Sequence, residues 1–297
     1  LETSAQRTLP FATPAHSVKP SDEPRPMAVR RPAGSPSTEL PRRLLALDIE
    51  TVPDDVMPAD WPPDKFPKAP WHRIVAISFV EAEIRRDEET GLEEYHLAAC
   101  RSGGGEGWDE GRLLRAFWKF FDEGDFRVVT WNGRSFDMPT IVARSMMHGI
   151  SAAAWYRRGT KWAGYAHRYA PDWHTDLMDV MADFGATSRL TLEEAATLLG
   201  LPGKLGEHGS RVAAMVADGQ TGRVRDYCET DCLNLAVLYV RFAFLTGRTG
   251  PEGHDRFVEE LMAYLERERS GRPHLGRFLD GWRANFERRP PLISNGT

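Results

Sequence analysis

The apolar and polar positions of this chain fall into short strands first and long helical periods later. Leu44-Leu45-Ala46-Leu47 is a short apolar strand, and Arg73 to Val80 and Glu94 to Ala99 predict two more. Three strands in succession predict an antiparallel meander. After the glycine-rich turn Ser102 to Gly107, the residues Leu113, Leu114, Phe117, Trp118, Phe120 and Phe121 recur at helical spacing. Val128-Val129-Thr130-Trp131 is the next strand, Asn132-Gly133-Arg134-Ser135 a turn, and Asp137 to His148 a helix. A short strand or strand end is expected near His174 to Leu177. The remaining periods are helical: Leu192 to Leu199, Ser210 to Ala217, Val224 to Leu245, and one or two helices after Gly250. This order predicts an α/β fold, a sheet of mixed direction flanked by helices.

Residues 1–40 are rich in Pro, Ser, Thr and charge and show neither period, so a disordered Pro-rich tail is expected there. The principal domain is expected over 41–248 and a helical C-terminal extension over 249–297. In that extension Phe257, Leu261, Tyr264, Leu265, Phe278, Leu279 and Trp282 form apolar helix faces for the core or for a partner.

Composition narrows the class. A chain of 297 residues, 41% of them hydrophobic, buries one large core or two small ones. No stretch approaches the roughly 18 consecutive apolar residues that span a bilayer, and the N-terminal region lacks a compact secretory run. A soluble, cytoplasmic protein without a membrane partner is expected. Cys100, Cys228 and Cys232 are odd in number and lack zinc-knuckle spacing. Cys228 and Cys232 would share one helix face, and all three are read as structural thiols. The net charge of −5 argues against a protein that coats duplex DNA by broad phosphate neutralisation. An enzyme that grips a few nucleotides needs only local bases. The turn from Ser102 to Gly107 lacks the Gly-Lys-Ser/Thr of a phosphate-cradling P-loop.

Candidate chemistry is acidic. In Asp48-Ile49-Glu50, at the end of the first apolar strand, alternation points both carboxylates the same way and Ile49 into the core. Like charges presented together are commonly compensated by a cation. Asp137 opens a helix after a strand and a turn. Asp231 lies four residues after Tyr227, on one helix face, within an apolar stretch where an unpaired carboxylate is costly. Each has an ordinary alternative: a strand terminator, a helix cap, a solvated helix position.

Three segments carry a resemblance: Leu47-Asp48-Ile49-Glu50-Thr51, Asn132-Gly133-Arg134-Ser135-Phe136-Asp137-Met138-Pro139 and Tyr227-Cys228-Glu229-Thr230-Asp231. They resemble the three exonuclease motifs of the DEDD superfamily in its tyrosine-bearing branch. The second is most similar to the proofreading domain of B-family DNA polymerases. Over about residues 43 to 245 the chain resembles the stand-alone predicted PolB-like 3′-5′ exonucleases. The resemblance implies a ribonuclease H-like sheet in which Asp48, Glu50, Asp137 and Asp231 bind two divalent cations, Mg²⁺ or Mn²⁺. It implies Tyr227 beside the attacking water and nucleoside 5′-monophosphates as products. The unperturbed phenol pKa near 10 suits orientation of water better than proton abstraction.

The partner so implied is single-stranded nucleic acid, with DNA favoured over RNA by resemblance alone. From Trp155 to Trp173 aromatics and bases interleave, a composition that stacks on bases and neutralises phosphates but also packs loops. Arg158 and Trp162 are candidate substrate contacts there. Thr51, beside the acidic residues, is another, and Phe136, beside Asp137, resembles the family position that packs near the terminal nucleotide, a hydrophobic anchor for its helix being the alternative. Asn132 holds the turn or touches substrate, and Lys204, in the loop Gly203 to Gly209, reaches a phosphate or merely sits in a connector. Asp176 is expected to cap a helix or support the site.

One rival reading stays in the enzyme class and another leaves it. An RNA exonuclease would share the site, because the sugar preference depends on contacts to the 2′-OH. A catalytically silent nucleic-acid-binding module would have no need for four convergent carboxylates. A phosphatase of the Asp-x-Asp type is disfavoured by Glu50 in the second position. With only about fifty residues after the third motif region, which runs to about residue 245, no polymerase domain is expected to follow, and proofreading would act in trans.

Overall fold

In the computed structural model, which describes residues 39–58, 60–62, 64–105, 107–203 and 211–294, the first apolar run grows into β1 (Arg43–Pro53). Leu45, Leu47 and Ile49 enter the core on one face and Leu44 and Ala46 that on the other, as a two-residue period demands. β2 (His72–Arg86) and β3 (Glu93–Gly103) complete the antiparallel meander, with Leu47 opposite Phe79 and Phe79 opposite Arg101. β4 (Phe126–Thr130) and β5 (His174–Asp176) join in parallel on the far side of β1, giving the order β3-β2-β1-β4-β5. This mixed, helix-flanked sheet is of the ribonuclease H-like α/β class.

β1 differs from expectation in length. It runs on through the acidic residues, so Asp48-Ile49-Glu50 lies inside the strand and not at its end. The acidic side chains break the apolar pattern without breaking the hydrogen-bond ladder to β2, where Asp48 faces Ser78 and Glu50 faces Ala76. The parallel pairing with β4 stops earlier, at Ala46 and Val129. Asp48 and Glu50 therefore lie past the last rung of that pair. A register shift between Glu50 and Thr51 bends the strand at this point.

Helices α1 (Glu110–Glu123), α2 (Asp137–Met147) and α3 (Ala153–Arg157) cover one face, where Phe117, Phe120 and Phe121 meet Phe79 and Val128. α1 is capped by Asp109, whose carboxylate accepts from the Arg112 amide at 2.6 Å. Beyond β5 come α4 (Leu177–Met181), α5 (Leu192–Leu198), α6 (Val212–Ala217), α7 (Thr221–Leu245), α8 (Pro251–Glu268) and α9 (Pro273–Arg283). α7 is buried on nearly every side from Tyr227 to Val240, since it lies against β1 and β2 with α8 and α9 packed behind. Phe257, Leu261, Phe278 and Trp282 share one core with Leu44, Tyr95 and Tyr239. Each such burial contributes about 1.5–3 kcal/mol.

A buried ion pair ties the sheet edge to α7. The fully buried Arg127 donates to Glu93 at 2.5 Å and 2.9 Å and to the Tyr239 hydroxyl at 3.0 Å, while Tyr95 donates to Glu93 at 2.6 Å. Apart from residues 39 and 40, the Pro-rich segment expected to be a tail lies outside the described residues. Among the described residues no helix is long and apolar enough to cross a membrane.

Candidate active site

β1 presents Asp48 and Glu50 on the face opposite Ile49, both half-buried. After β4 the chain reverses at Asn132, whose φ of 63° is left-handed. Gly133 follows because a Cβ there would sit 2.3 Å from the Thr130 Cβ. Asp176, at the end of β5, holds the turn: it accepts from the Asn132 and Arg134 amides at 2.9 Å each, and caps α4 through the Asp179 amide at 3.4 Å. The turn delivers Asp137 as the first residue of α2, 3% exposed, where its Oδ1 accepts from the Ile49 amide at 3.2 Å. α7 brings the third group. Tyr227 and Asp231 lie one turn apart, the phenol hydrogen-bonded to the carboxylate, and the buried Cys228 thiol donates to the Asp48 carbonyl and to Asp48 Oδ2, both at 3.4 Å.

The electrostatics follow from this convergence. Burial, then the charges of Asp137, Glu50 and Asp231, hold the Asp48 carboxyl well above its ordinary value. Burial pushes Asp137 up to about 7, partly offset by backbone hydrogen bonds, with Asp176 pushing further upward. The Tyr227 phenol is raised by burial and by Asp231, Glu50 and Asp48, so it stays a neutral hydroxyl at physiological pH. The strongest charges acting on Asp48 are thus all acidic. Ligand atoms of Asp48, Glu50 and Cys228 lie within 4.8 Å of one another. The two carboxylates at this spacing repel each other and fit a hard divalent cation, and the charges of Asp137 and Asp231 also act on Asp48. Asp48, Glu50, Asp137 and Asp231 are the residues that could hold it.

The other predicted site residues separate into two groups. Thr51 and Phe136 flank the carboxylates: the Thr51 hydroxyl meets His72 Nδ1 at 3.0 Å, and the Phe136 ring lies 5.0 Å from the His72 ring. Asn132 shapes the turn through its backbone. Arg158 and Trp162 are not brought to the carboxylates. Arg158 donates to the Phe121 carbonyl at 3.1 Å and to that of Gly124, at the C-terminal end of α1. Trp162, 79% exposed, borders a cavity of about 340 Å³ with Leu40, Tyr169 and Trp173. Both lie at the entering end of β4, whereas the carboxylates lie beyond its leaving end. Lys204 falls outside the described residues.

Sequence reasoning missed Cys228, which borders Asp48 as well as being buried, and two residues around Phe136, namely Phe66 and His72. A signal for the latter exists in the run Trp61, Lys65, Phe66, Lys68, Trp71, His72, Arg73, which interleaves aromatics and bases as the later segment does.

The chain belongs to the family of predicted 3′-5′ exonucleases related to the exonuclease domain of PolB, whose model matches residues 64–282. The match begins after Asp48 and Glu50, takes in the second and third motifs, and runs on through α8 into α9. Among solved structures, the chain is similar to the family B DNA polymerase from the hyperthermophilic archaeon Pyrobaculum calidifontis, at 18% identity and a TM-score of 0.44. That similarity covers 75% of this chain and 29% of the polymerase chain. No curated protein matches the sequence.

Proposed function

We propose that the protein is a 3′-5′ exonuclease that hydrolyses single-stranded or frayed DNA ends to nucleoside 5′-monophosphates, using two Mg²⁺ or Mn²⁺ ions. The observation that carries this reading is the convergence of Asp48 and Glu50 from β1, Asp137 from α2 and Asp231 from α7, with the Tyr227 hydroxyl on Asp231. Family membership supports the exonuclease class.

In this reading the four carboxylates hold the cations, which when bound acidify a water and stabilise charge on the attacking and leaving oxygens. Tyr227 keeps its proton and orients the attacking water by hydrogen bonding. Attack on phosphorus forms the new P–O bond as the bond to the 3′ oxygen breaks. The 3′ oxygen takes up a proton, and the phosphate leaves on the 5′ side of the released nucleotide. Thr51 and Phe136 border the strand end, and Asp176 keeps the turn that presents Asp137.

The test is degradation of matched 3′- and 5′-labelled DNA and RNA oligonucleotides in Mg²⁺, Mn²⁺ or EDTA. Metal-dependent shortening from the 3′ end, abolished in Asp48→Ala and Asp231→Ala and faster on DNA, is expected. Strand binding without degradation would instead establish a silent binding module, and preference for RNA would reassign the substrate.

A further inference from the structure

The described residues of the connection between β1 and β2, 54–58, 60–62 and 64–71, are pinned at their base to the helix that carries Asp137. Arg144 of α2, 3% exposed, pairs with Asp54 and donates to the Pro70 carbonyl at 3.1 Å. Its Nε donates to Glu110 at 2.8 Å, and Glu110 accepts from the Ile74 amide at 2.7 Å. The Asp54 amide closes the base of the loop on the Trp71 carbonyl at 2.9 Å. Within the loop, Trp61 Nε1 donates to the Lys65 carbonyl at 3.0 Å, and the Lys68 ammonium lies 5.5 Å from the Trp61 ring. Pro58, Pro62, Pro67 and Pro70 restrict the backbone further. What the loop presents is therefore held in place.

It presents Phe66. The ring is 73% exposed, yet its centroid is 4.7 Å from that of His72 and 5.7 Å from that of Phe136. His72 is oriented on both sides: Nε2 donates to the Pro67 carbonyl at 3.0 Å, so the neutral ring accepts at Nδ1 from the Thr51 hydroxyl, also at 3.0 Å. Thr51 follows Glu50 and Phe136 precedes Asp137, which puts this aromatic group against two of the segments that carry the carboxylates. Lys65 and Lys68, near Phe66 in the chain, are exposed, as is Arg73. An ordinary packing role would bury the ring, and a plain connector would leave it untethered. A tethered ring with an open face, flanked by bases, has the composition of a stacking platform for single strands.

We infer that Phe66, backed by His72 and Phe136, stacks on the nucleobase at the 3′ end of a single-stranded substrate, with Lys65 and Lys68 meeting the adjoining phosphates. This rests on the exonuclease reading and adds to it how the strand end is gripped. Stacking tolerates any base, since every base has a π face, so the subsite recognises an unpaired end and not a sequence.

Two measurements on the full chain test it. The first compares KM for wild type, Phe66→Ala and Phe66→Trp on oligonucleotides ending in a base or in an abasic residue. Loss of the ring is expected to raise KM about tenfold on base-bearing ends, Phe66→Trp to restore it, and an abasic end to remove the difference. The second photocrosslinks an oligonucleotide carrying 3′-terminal 5-iodouracil in EDTA, with crosslinks expected at Phe66. Equal KM for wild type and Phe66→Ala on base-bearing ends, or crosslinks confined to other residues, in a protein that degrades the strand, would overturn the stacking subsite alone. A wild type that neither degrades nor binds strands would overturn the exonuclease reading and the subsite with it.

Discussion

The Ile49 amide and the Asp137 carboxylate, 88 residues apart, are joined by a hydrogen bond of 3.2 Å. Ile49 buries its side chain on the α1 and α2 face while its backbone amide meets the first residue of α2. One residue thus fixes the helix start between the two acidic positions of β1. The carboxylate positions are consequently set by backbone, and substitutions there should act on charge more than on shape.

Asp48→Ala and Asp231→Ala are each expected to lower kcat by more than about 100-fold, because losing groups that merely support metal ligands already costs 10–100-fold. Tyr227→Phe deletes only the hydroxyl. It should lower kcat on the order of 100-fold, while calorimetry shows Mg²⁺ still bound, weakened by at most about 10–100-fold through the lost bond to Asp231. Full activity in Tyr227→Phe would remove the water-orienting role.

The metal-free site should make stability depend on pH. Asp137 titrates near 7 in the fold against an ordinary 3.8, so between these values the folded protein binds more protons than the unfolded chain. Stability then falls as pH rises through that window. In EDTA, Tm of the wild type should drop between pH 5 and about 7, and Asp137→Asn should flatten this slope and raise Tm at pH 7. Saturating Mg²⁺ should raise the wild-type Tm more than that of the variant.

Acid should expose a different weakness. Burial raises the Glu93 carboxyl, but the hydrogen bonds and charge of Arg127 more than offset this and pull it from 4.5 down to about 2. The stabilisation is present above the unfolded value and lost as pH falls from 4.5 toward 2. Arg127→Met leaves the Glu93 carboxylate buried and should cost about 3–5 kcal/mol in urea unfolding at pH 7. The double variant with Glu93→Gln should recover much of that loss. No recovery would mean that the packing of Arg127, and not its charge, matters.

α7 is also held from behind. Glu229 lies between Tyr227 and Asp231 in sequence, and its carboxylate accepts from Arg272, from His274 Nε2 at 2.7 Å and from the Ser102 hydroxyl at 2.9 Å. Glu229→Gln keeps the shape but weakens the charge-assisted bonds, so a loss of about 2 kcal/mol in unfolding is expected. Its effect on kcat should stay below about tenfold if the network anchors the helix without touching substrate.

What the sequence determined by itself is what short periods encode. Strand alternation put Asp48 and Glu50 on one face, helical spacing put Tyr227 and Asp231 one turn apart, and the Asn132-Gly133 pair marked a turn. Each depends on backbone geometry over a few residues. The length of β1 was hidden because acidic side chains interrupt an apolar pattern without interrupting hydrogen bonds to β2. Whether an aromatic-basic run lies near the carboxylates was beyond local reading. The segment with Arg158 and Trp162 and the segment with Lys65 and Phe66 are alike in composition, yet they lie at different places along the sheet. Only the tertiary structure decided this, through the direction of β4, the grip of Arg144 on the loop and the packing of α7 against β1. Period specifies which face of an element is apolar, but which elements meet depends on burial summed over contacts far apart in the chain.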